Sequence, residues 1–332
     1  MNEEHAALAK TGFWMLVNFI SCVWIIWSTK ICFQLGFKFG TALTAFHFLM
    51  TYIGLELSAF CGYFERKSLS FKGVLPLSIA FCGFIVFNNL SLEFNTIGMY
   101  QVTKVLTTPV IVIIHMVFYA KWLTVSELFA LVLVCVGVIV ATEANLDLNT
   151  AGVVTGLLGV FSSSVYQIWV ETKQLDFHCS PAQLLYYQAP LSFLLLLPVV
   201  AFTGELVDLM HFAFTWKVSL AIVVSGLLAF LVNLSTYIVI GSTSPLTYNM
   251  IGHSKLVIII ISSYIFFGEK QSLLGLVGVG SAVVGIIAYA QIRMSVTHTK
   301  EIDLEDYIEK VPLLDVSMTT APDSEIHGFD ST

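Results

Sequence analysis

The sequence predicts an all-α integral membrane protein of about ten transmembrane helices, arranged as two inverted five-helix repeats. Composition, segment length and an internal repeat predict this fold. Of the 332 residues, 57% are hydrophobic and 11% are charged, whereas a soluble globular protein is about a quarter charged. A large soluble core is excluded because the apolar segments are each about 20 residues long, the span of a bilayer. The lipid bilayer is therefore the first predicted partner.

The apolar segments fall at about 12–33, 41–63, 73–93, 97–120, 124–142, 150–170, 184–203, 216–240, 245–267 and 273–291,. Lys and Arg favour the ends that a cytosolic amino terminus would place in the cytosol. The predicted organisation is a cytosolic N-terminus (1–11), two five-helix repeats (12–142 and 143–293) and a disordered, acidic cytosolic tail (294–332). Both termini are then cytosolic.

An internal repeat supports the two halves. Three short motifs recur in order: Asn89-Leu90-Ser91 at Asn233-Leu234-Ser235, Lys104 at Lys255, and Gly137-Val138-Ile139 at Gly285-Ile286-Ile287. The offsets are 144, 151 and 148 residues. Five helices is an odd number, so the second copy lies upside down in the membrane. Inverted repeats with a midplane site are a common plan of secondary transporters.

The net charge of −7 comes from the tail, which carries two lysines and nine acids, whereas residues 1–293 carry 13 basic and 13 acidic residues. The balanced membrane body gives no indication of nucleic-acid binding. The six cysteines have no C-x-x-C spacing, so we interpret them as small buried hydrophobes. No metal and no bound cofactor is implied.

Lysines in apolar segments are the strongest candidates for a binding site. Lys255 lies near the middle of its segment, where a charge costs about 3 kcal/mol on insertion scales. Lys104 is its counterpart in the first half. Either lysine can neutralise a phosphate. The alternatives for Lys255 are a structural pair with an acid such as Glu93, or snorkelling. Lys30 lies near a segment end, where snorkelling is an ordinary explanation.

Polar neighbours of the two main lysines complete the candidate substrate site. They are Tyr248, Asn249 and Ser254 near Lys255, Gln101 just before Lys104, and Asn233 in the preceding helix. Asn and Ser can bind ribose hydroxyls or base edges, and Tyr can stack on a base. The alternative is that these residues pack helices together, as polar membrane residues often do. His253 is interpreted as a packed, neutral histidine.

Two further features concern function. The chain has no H-E-x-x-H, G-x-S-x-G or P-loop motif, so we predict that it is not an enzyme. In the tail, Glu309 with Leu313 and Leu314 forms an acidic dileucine pattern, which predicts adaptor complexes as partners. The alternative is a chance match of a short pattern.

These residues also carry a resemblance. Ser244–Met250, Gly252–Lys255, Gln101–Val112 and Leu184–Pro190 resemble the nucleotide-sugar and triose-phosphate translocator branch of the drug/metabolite transporter superfamily, and the E subgroup of solute carrier family 35 in particular. The resemblance implies a ten-helix antiporter of the Golgi or endoplasmic reticulum. It places phosphate at Lys255, and the substrate beside Tyr248 and Gly252.

Departures from the family pattern bear on the cargo. Plastid phosphate exchangers have an arginine where this chain has Leu256, and a tyrosine where it has Val232, which weakens a phosphosugar substrate. The Gly252–Lys255 stretch is one residue shorter than its counterpart in GDP-mannose carriers. The resemblance therefore favours a UDP-sugar.

The functional hypothesis is a secondary antiporter that exchanges a nucleotide sugar for a nucleoside monophosphate by alternating access. One alternative is an exchanger of small phosphorylated metabolites with phosphate. Another is a trafficking or scaffold protein that kept the fold without transport. The predicted location is the Golgi membrane, with the endoplasmic reticulum and endosome as alternatives, and a homodimer is left open.

Overall fold

The computed structural model describes residues 2–94, 103–141, 150–255 and 273–310, and every regular element in these ranges is a helix. We number them α1 Asn2–Gln34, α2 Gly40–Phe60, α3 Phe71–Phe94, α4 Thr107–Tyr119, α5 Val125–Ala141, α6 Thr150–Asp176, α7 Pro181–Phe202, α8 Glu205–His211, α9 Trp216–Ser242, α10 (residues 245–255) and α11 Leu273–Lys310. Each predicted apolar segment contains one of these helices, and α8 is an addition between two of them.

The helices have the length and composition of membrane spans. Seven are long and apolar enough to cross a bilayer, and Thr103–Tyr119 and Val125–Val140 are shorter apolar helices. Large apolar side chains remain on the outside of the bundle, among them Phe60 at 87% and Phe202 at 90% exposure. Such exposure is costly in water and suits a lipid environment. The prediction of an all-α integral membrane protein is confirmed.

The packing of the helices follows the order expected for two related halves. The main contacts join α1 to α9, α3 to α6, α2 to α7 and α5 to α11. Suppose that α1, α2, α3 and α5 of the first half correspond, in this order, to α6, α7, α9 and α11 of the second. Replacing each helix by its counterpart then converts the α1–α9 pair into the α6–α3 pair. The other two pairs map onto themselves. This pattern is compatible with an inverted repeat, and the division into two repeats stays a prediction.

Glycines of the repeat lie at the contact of α5 with α11, which we call the glycine seam. A Cβ at Gly137 would stand 2.5 Å from the Ala282 nitrogen, and one at Gly285 would stand 2.9 Å from the Val134 nitrogen. Gly137 and Gly285 are 148 residues apart, and so are Val134 and Ala282. The same close approach therefore occurs twice, and small residues are what permit it.

We expect Gly285→Val to destabilise the protein, because the added side chain would meet Val134 backbone as well as side chain. Overpacking of this kind costs about 1–3 kcal/mol. The measurement is thermal unfolding of the purified protein in detergent. Gly280→Val is the matched control in the same helix, since a Cβ there would meet nothing within 4 Å. Equal melting temperatures for the two variants would contradict a close-packed seam.

A carboxylate stabilises helix α2 at each of its two ends. The first residues of α2 have no side-chain cap of their own, but Glu205 of α8 accepts from the backbone nitrogens of Thr41 at 3.1 Å and Ala42 at 2.7 Å. At the other end Glu56 accepts from the hydroxyl of Tyr52 at 2.7 Å and from Tyr186 and Arg66. Carboxylates are stabilising at helix N-termini, so α8 serves as the cap that α2 lacks.

The tail begins as part of helix α11. Helix α11 continues to Lys310, so residues 294–310 are helical in the structure, and disorder of the tail stays a prediction. The physical reason lies in the sequence, which has no Gly or Pro between Arg293 and Lys310. Pro312 follows directly, and proline disfavours the helical conformation of the residue before it. Leu313 and Leu314 lie outside the described residues, and Glu309 is described only as part of the helix backbone.

Candidate functional site

Lys255 is the last described residue of α10 and is half-buried. Its Nζ donates a hydrogen bond to Asn18 Oδ1 at 2.8 Å. The ion pairs between described residues involve other groups, so in the part of the chain that the structure describes a neutral amide, and no carboxylate, meets this charge. The side chain of Glu93, the predicted structural partner, lies outside that part. Lys255 therefore presents a net positive charge within the bundle.

Asn18 of α1 holds this lysine in place. Its side chain is fully buried, and its Nδ2 donates to Ser235 Oγ and Thr236 Oγ1, both at 3.0 Å. These two donated bonds fix the orientation of the amide, so that Oδ1 faces the ammonium group of Lys255. Asn18 thus joins α1, α9 and α10 at one point, which we call the Asn18 node: Asn18, Ser235, Thr236 and Lys255.

Sequence reasoning missed Asn18. An amide in an otherwise apolar segment is the signal that drew attention to Asn233, and the same signal was present at Asn18. What no pattern could supply is the partner, because Lys255 is 237 residues further along the chain. Ser235, by contrast, belongs to the repeated Asn-Leu-Ser motif.

Tyr248 belongs to the surroundings of the Asn18 node. It is half-buried, and Thr236 and Cys22 are the side chains that act on its hydroxyl. Since Thr236 also accepts from Asn18, Tyr248 is one contact removed from the lysine. The structure thus brings together two of the predicted site residues, Lys255 and Tyr248.

Lys104 lies in the helical stretch 103–105 that leads into α4, and its side chain is exposed. One helical turn later, Thr108 Oγ1 is 2.9 Å from His253 Nε2 on α10, and His253 is buried, in agreement with its interpretation as a packed histidine. The two helices that carry the predicted lysines therefore touch. Lys104 stands four residues before this contact and Lys255 two residues after it, while Gln101 lies outside the described residues.

The remaining predicted residues fall into two groups. Asn249 donates to Gln167 Oε1 at 2.8 Å and to the Pro245 carbonyl at 3.1 Å, and Asn233 donates to Thr51 Oγ1 at 2.9 Å. Both amides connect one helix to another, as the packing alternative supposes. A binding role for them stays a prediction.

The second group consists of Ser254, Gly252 and Lys30, whose polar atoms have no described contact with another helix of the bundle. Ser254 Oγ donates to the Met250 carbonyl of its own helix at 2.9 Å. Gly252 is exposed, and a Cβ there would meet nothing within 4 Å, so it faces open space. Lys30 is exposed and its Nζ lies 5.6 Å from the ring centre of Trp27 on the same helix. That position is typical of snorkelling, and the structure does not bring Lys30 to the Asn18 node.

Helices long and apolar enough to span a bilayer indicate a multi-pass membrane protein. The comparison with known proteins agrees: residues 7–290 match the profile of the Triose-phosphate Transporter family. The chain belongs to this family. Its members are transporters, which confirms the prediction that the chain is not an enzyme.

Three relatives from Arabidopsis thaliana illustrate the similarity. UDP-xylose transporter 2 is 33% identical over 299 residues, 87% of this chain and 85% of the relative. UDP-xylose transporter 3 is 34% identical over 269 residues, 80% of this chain and 75% of the relative. UDP-rhamnose/UDP-galactose transporter 1 is 28% identical over 295 residues, 87% of this chain and 85% of the relative. The resemblance to the nucleotide-sugar branch is confirmed.

A solved crystal structure matches with a TM-score of 0.67 over 87% of this chain and 99% of the other. The two sequences are 11% identical, so this match concerns the fold alone.

Proposed function

We propose that this protein is a secondary antiporter that exchanges a UDP-sugar for a nucleoside monophosphate, with Lys255 binding phosphate. The observation that carries the proposal is the environment of Lys255. Its charge is half-buried and is held by one neutral amide oxygen at 2.8 Å. A phosphate oxygen carries negative charge and the amide oxygen does not, so Coulomb attraction to the ammonium group favours phosphate. A phosphate oxygen therefore displaces Asn18 Oδ1 from the ammonium group.

The Asn18 node prepares the site for this exchange of partners. When phosphate binds Lys255, Asn18 stays fixed by its two hydrogen bonds to Ser235 and Thr236. The node then needs no rearrangement when the substrate leaves, since Oδ1 is still aimed at the ammonium position. Preorganised polar groups of this kind lower the free-energy cost of binding.

The choice of substrate follows from the relatives. Three relatives that cover four fifths or more of this chain are named as transporters of UDP-xylose or of UDP-rhamnose and UDP-galactose. A nucleotide sugar and a nucleoside monophosphate share a base and a phosphate next to the ribose. One site with a lysine for phosphate and Tyr248 for the base can accept both in turn.

Alternating access is supported by the way the halves meet. The glycine seam holds α5 against α11, and the Thr108–His253 contact joins α4 to α10. Both contacts cross from the first half to the second. Rocking of the halves about the seam would open and close the α4–α10 contact beside Lys255, on one side of the membrane at a time. No cofactor or ATP hydrolysis is required, because the gradient of the counter-substrate drives the exchange.

Other parts of the proposal concern location and partners. A Golgi membrane is the compartment where a nucleotide-sugar carrier of this branch would act, with both termini in the cytosol. Adaptor complexes would bind the tail through Glu309, Leu313 and Leu314, and a homodimer stays a proposal of the sequence alone.

Counterflow uptake in proteoliposomes tests the function. Vesicles are preloaded with UMP, GMP, CMP or phosphate and are offered labelled UDP-xylose, UDP-galactose or GDP-mannose. We expect saturable uptake of a UDP-sugar that requires internal UMP, because both ligands share the uridine and phosphate groups. Uptake that requires internal phosphate and is inhibited by triose phosphate would instead establish the exchange of phosphorylated metabolites. Absence of uptake with a folded protein would favour the scaffold alternative.

A further inference from the structure

A second polar cluster lies away from the Asn18 node, at the end of α4 that the sequence places in the cytosol. Tyr119 ends the helix and Ala120 adopts a left-handed conformation, with φ at 49°. The nitrogen of Lys121 then donates to the carbonyl of His115 at 3.0 Å, which folds the chain back over the helix end. This turn brings Lys121 Nζ to within 3.0 Å of Glu171 Oε1 on α6.

His115 and Glu171 face each other without a hydrogen bond. His115 Nε2 lies 3.8 Å from Glu171 Oε2. His115 is 6% exposed, and both atoms are buried with no hydrogen-bond partner among the described residues. A buried polar group without a partner costs about 1–3 kcal/mol, so two of them at one place are unusual for a native structure.

The His115–Glu171 pair lacks a proton that one of the two atoms could donate to the other. If Nε2 carries no proton, two acceptors face each other. If Nε2 carries the only ring proton, 3.8 Å is beyond hydrogen-bonding distance,. An imidazolium ion would instead be drawn to the carboxylate and form a charge-assisted hydrogen bond of about 2.7–2.9 Å. A movement of about 1 Å would satisfy both atoms.

Several charged and aromatic groups surround the His115–Glu171 pair. The charged groups that act on His115 are Glu171 from α6 and Lys121 from the turn after α4, and the ring of Tyr119 packs edge-on at 5.9 Å. Glu127 of α5 and Tyr289 of α11 line the same cavity. Glu127 accepts from the backbone nitrogen and the hydroxyl of Thr124 at 2.9 and 3.0 Å, so the start of α5 occupies that carboxylate.

A cavity connects the cluster to the outside. It has a volume of about 390 Å³ and is lined by His115, Lys121, Glu171 and Trp122 among others. Trp122 is 73% exposed and the Lys121 side chain 47%, so the cavity opens to the surface. A proton reaches His115 by this route. A metal ion is a poor fit, because the described residues contain no group of three His, Cys, Asp or Glu side chains that could hold one.

We propose that His115 and Glu171 together bind one proton, shared between Nε2 and Oε2, and that this proton draws the two halves of the protein together on the Lys121 side. His115 belongs to the first half and Glu171 to the second. The proton comes from water through the cavity and returns the same way, and no bond other than hydrogen bonds is made or broken.

The proton acts on the substrate site through α4. The same helix carries Thr108, which contacts His253, two residues from Lys255. Closing the His115–Glu171 gap therefore holds α4 and α10 in one arrangement. As a result, exchange slows when the pH on this side falls. This consequence rests on the proposed function, whereas binding of the proton does not.

Proton binding is tested first without any substrate. The full chain, labelled at its eight histidines, is titrated by NMR between about pH 5 and about pH 8, the range in which histidine changes charge in proteins. The signal lost in His115→Gln is that of His115. We expect it to shift with pH in the parent protein and to stay at its neutral position in Glu171→Gln. A signal that does not move, or that moves alike in both proteins, overturns the proton site.

Coupling is tested by counterflow over the same pH range. Coupling between sites typically amounts to 5- to 150-fold, and we expect exchange to fall about tenfold toward pH 5, with the dependence lost in His115→Gln and Glu171→Gln. His47→Gln is the matched control, because His47 is also buried but has Ser225 Oγ as a partner at 3.1 Å. It should keep the dependence.

The outcomes separate this proposal from the proposed function. If His115 titrates as expected and exchange ignores pH, coupling is overturned and the proton site stands. If no nucleotide is exchanged at any pH, the proposed function fails and the NMR result still decides the proton site. If His115→Gln does not fold, Glu171→Gln alone decides, because it keeps the histidine and removes the charge that the shared proton needs.

Discussion

Lys255→Ala strongly weakens exchange at substrate concentrations near the half-saturating concentration of the parent protein. The reason is that the mutation removes the ammonium group that Asn18 holds at 2.8 Å and that phosphate is proposed to bind. Truncating one partner of a buried, charged hydrogen bond costs about 2–5 kcal/mol, and each 1.4 kcal/mol is about tenfold in affinity. We therefore expect the half-saturating concentration of the nucleotide sugar to rise about 100-fold, as measured by counterflow.

Lys30→Ala is the control for this variant. Lys30 is also a lysine of an apolar segment, but it is exposed beside Trp27, so exchange should stay within about twofold of the parent protein, in line with the small effects of surface substitutions. An equal loss in both variants would mean that any missing lysine impairs the protein. Full activity of Lys255→Ala, in protein with an unchanged melting temperature, would refute phosphate binding at this residue.

Asn18→Asp should weaken exchange without weakening the fold. The new carboxylate would replace an amide oxygen that already lies 2.8 Å from Lys255 Nζ. Opposite charges about 4 Å apart attract by about 4 kcal/mol at the effective dielectric constant of a protein. The lysine would then be neutralised by its neighbour and would no longer attract phosphate. We expect at least about tenfold weaker exchange by counterflow, with a melting temperature equal to or above that of the parent protein.

Asn233→Asp makes the same chemical change at a matched place. Asn233 is also an amide in a membrane helix, but it donates to Thr51, and among the described residues no lysine is hydrogen-bonded to it. This variant should lose stability and keep its affinity, the reverse of Asn18→Asp. If both variants lose affinity alike, a carboxylate at either place in the bundle causes the loss. The proposal that Asn18 and phosphate compete for Lys255 would then be wrong.

Sequence patterns were sufficient for the elements that depend on local hydrophobicity. All of the predicted apolar segments contain helices, and the start of α7 follows from Ser180 and Gln183, whose side chains form a capping box. Helix α8 was not predicted because seven residues are too short for a hydrophobic period to show. The extension of α11 was missed because a polar composition predicts disorder, while helix breakers are lacking there.

The charged residue of the candidate site could be predicted from the sequence, but its hydrogen-bond partner could not. A lysine in the middle of an apolar segment is costly to desolvate and therefore indicates a functional site. For this reason Lys255 could be found from the sequence. Asn18 and Glu171 could not, because their roles depend on neighbours far along the chain. For Asn249 the binding role stays a prediction, and the structure adds the partners of its amide, Gln167 and Pro245.

The glycine seam also limits which sequences this fold can accept. Gly137 fits against Ala282 and Gly278, and Gly285 fits against Val134 and Ala130. The atoms that an added Cβ would meet are mostly backbone atoms of the facing helix, so a smaller side chain on that helix could not make room for a bulkier residue. The two positions are therefore restricted independently of the side chains opposite them. If the proposed repeat is correct, the same restriction acts at matching places in both halves.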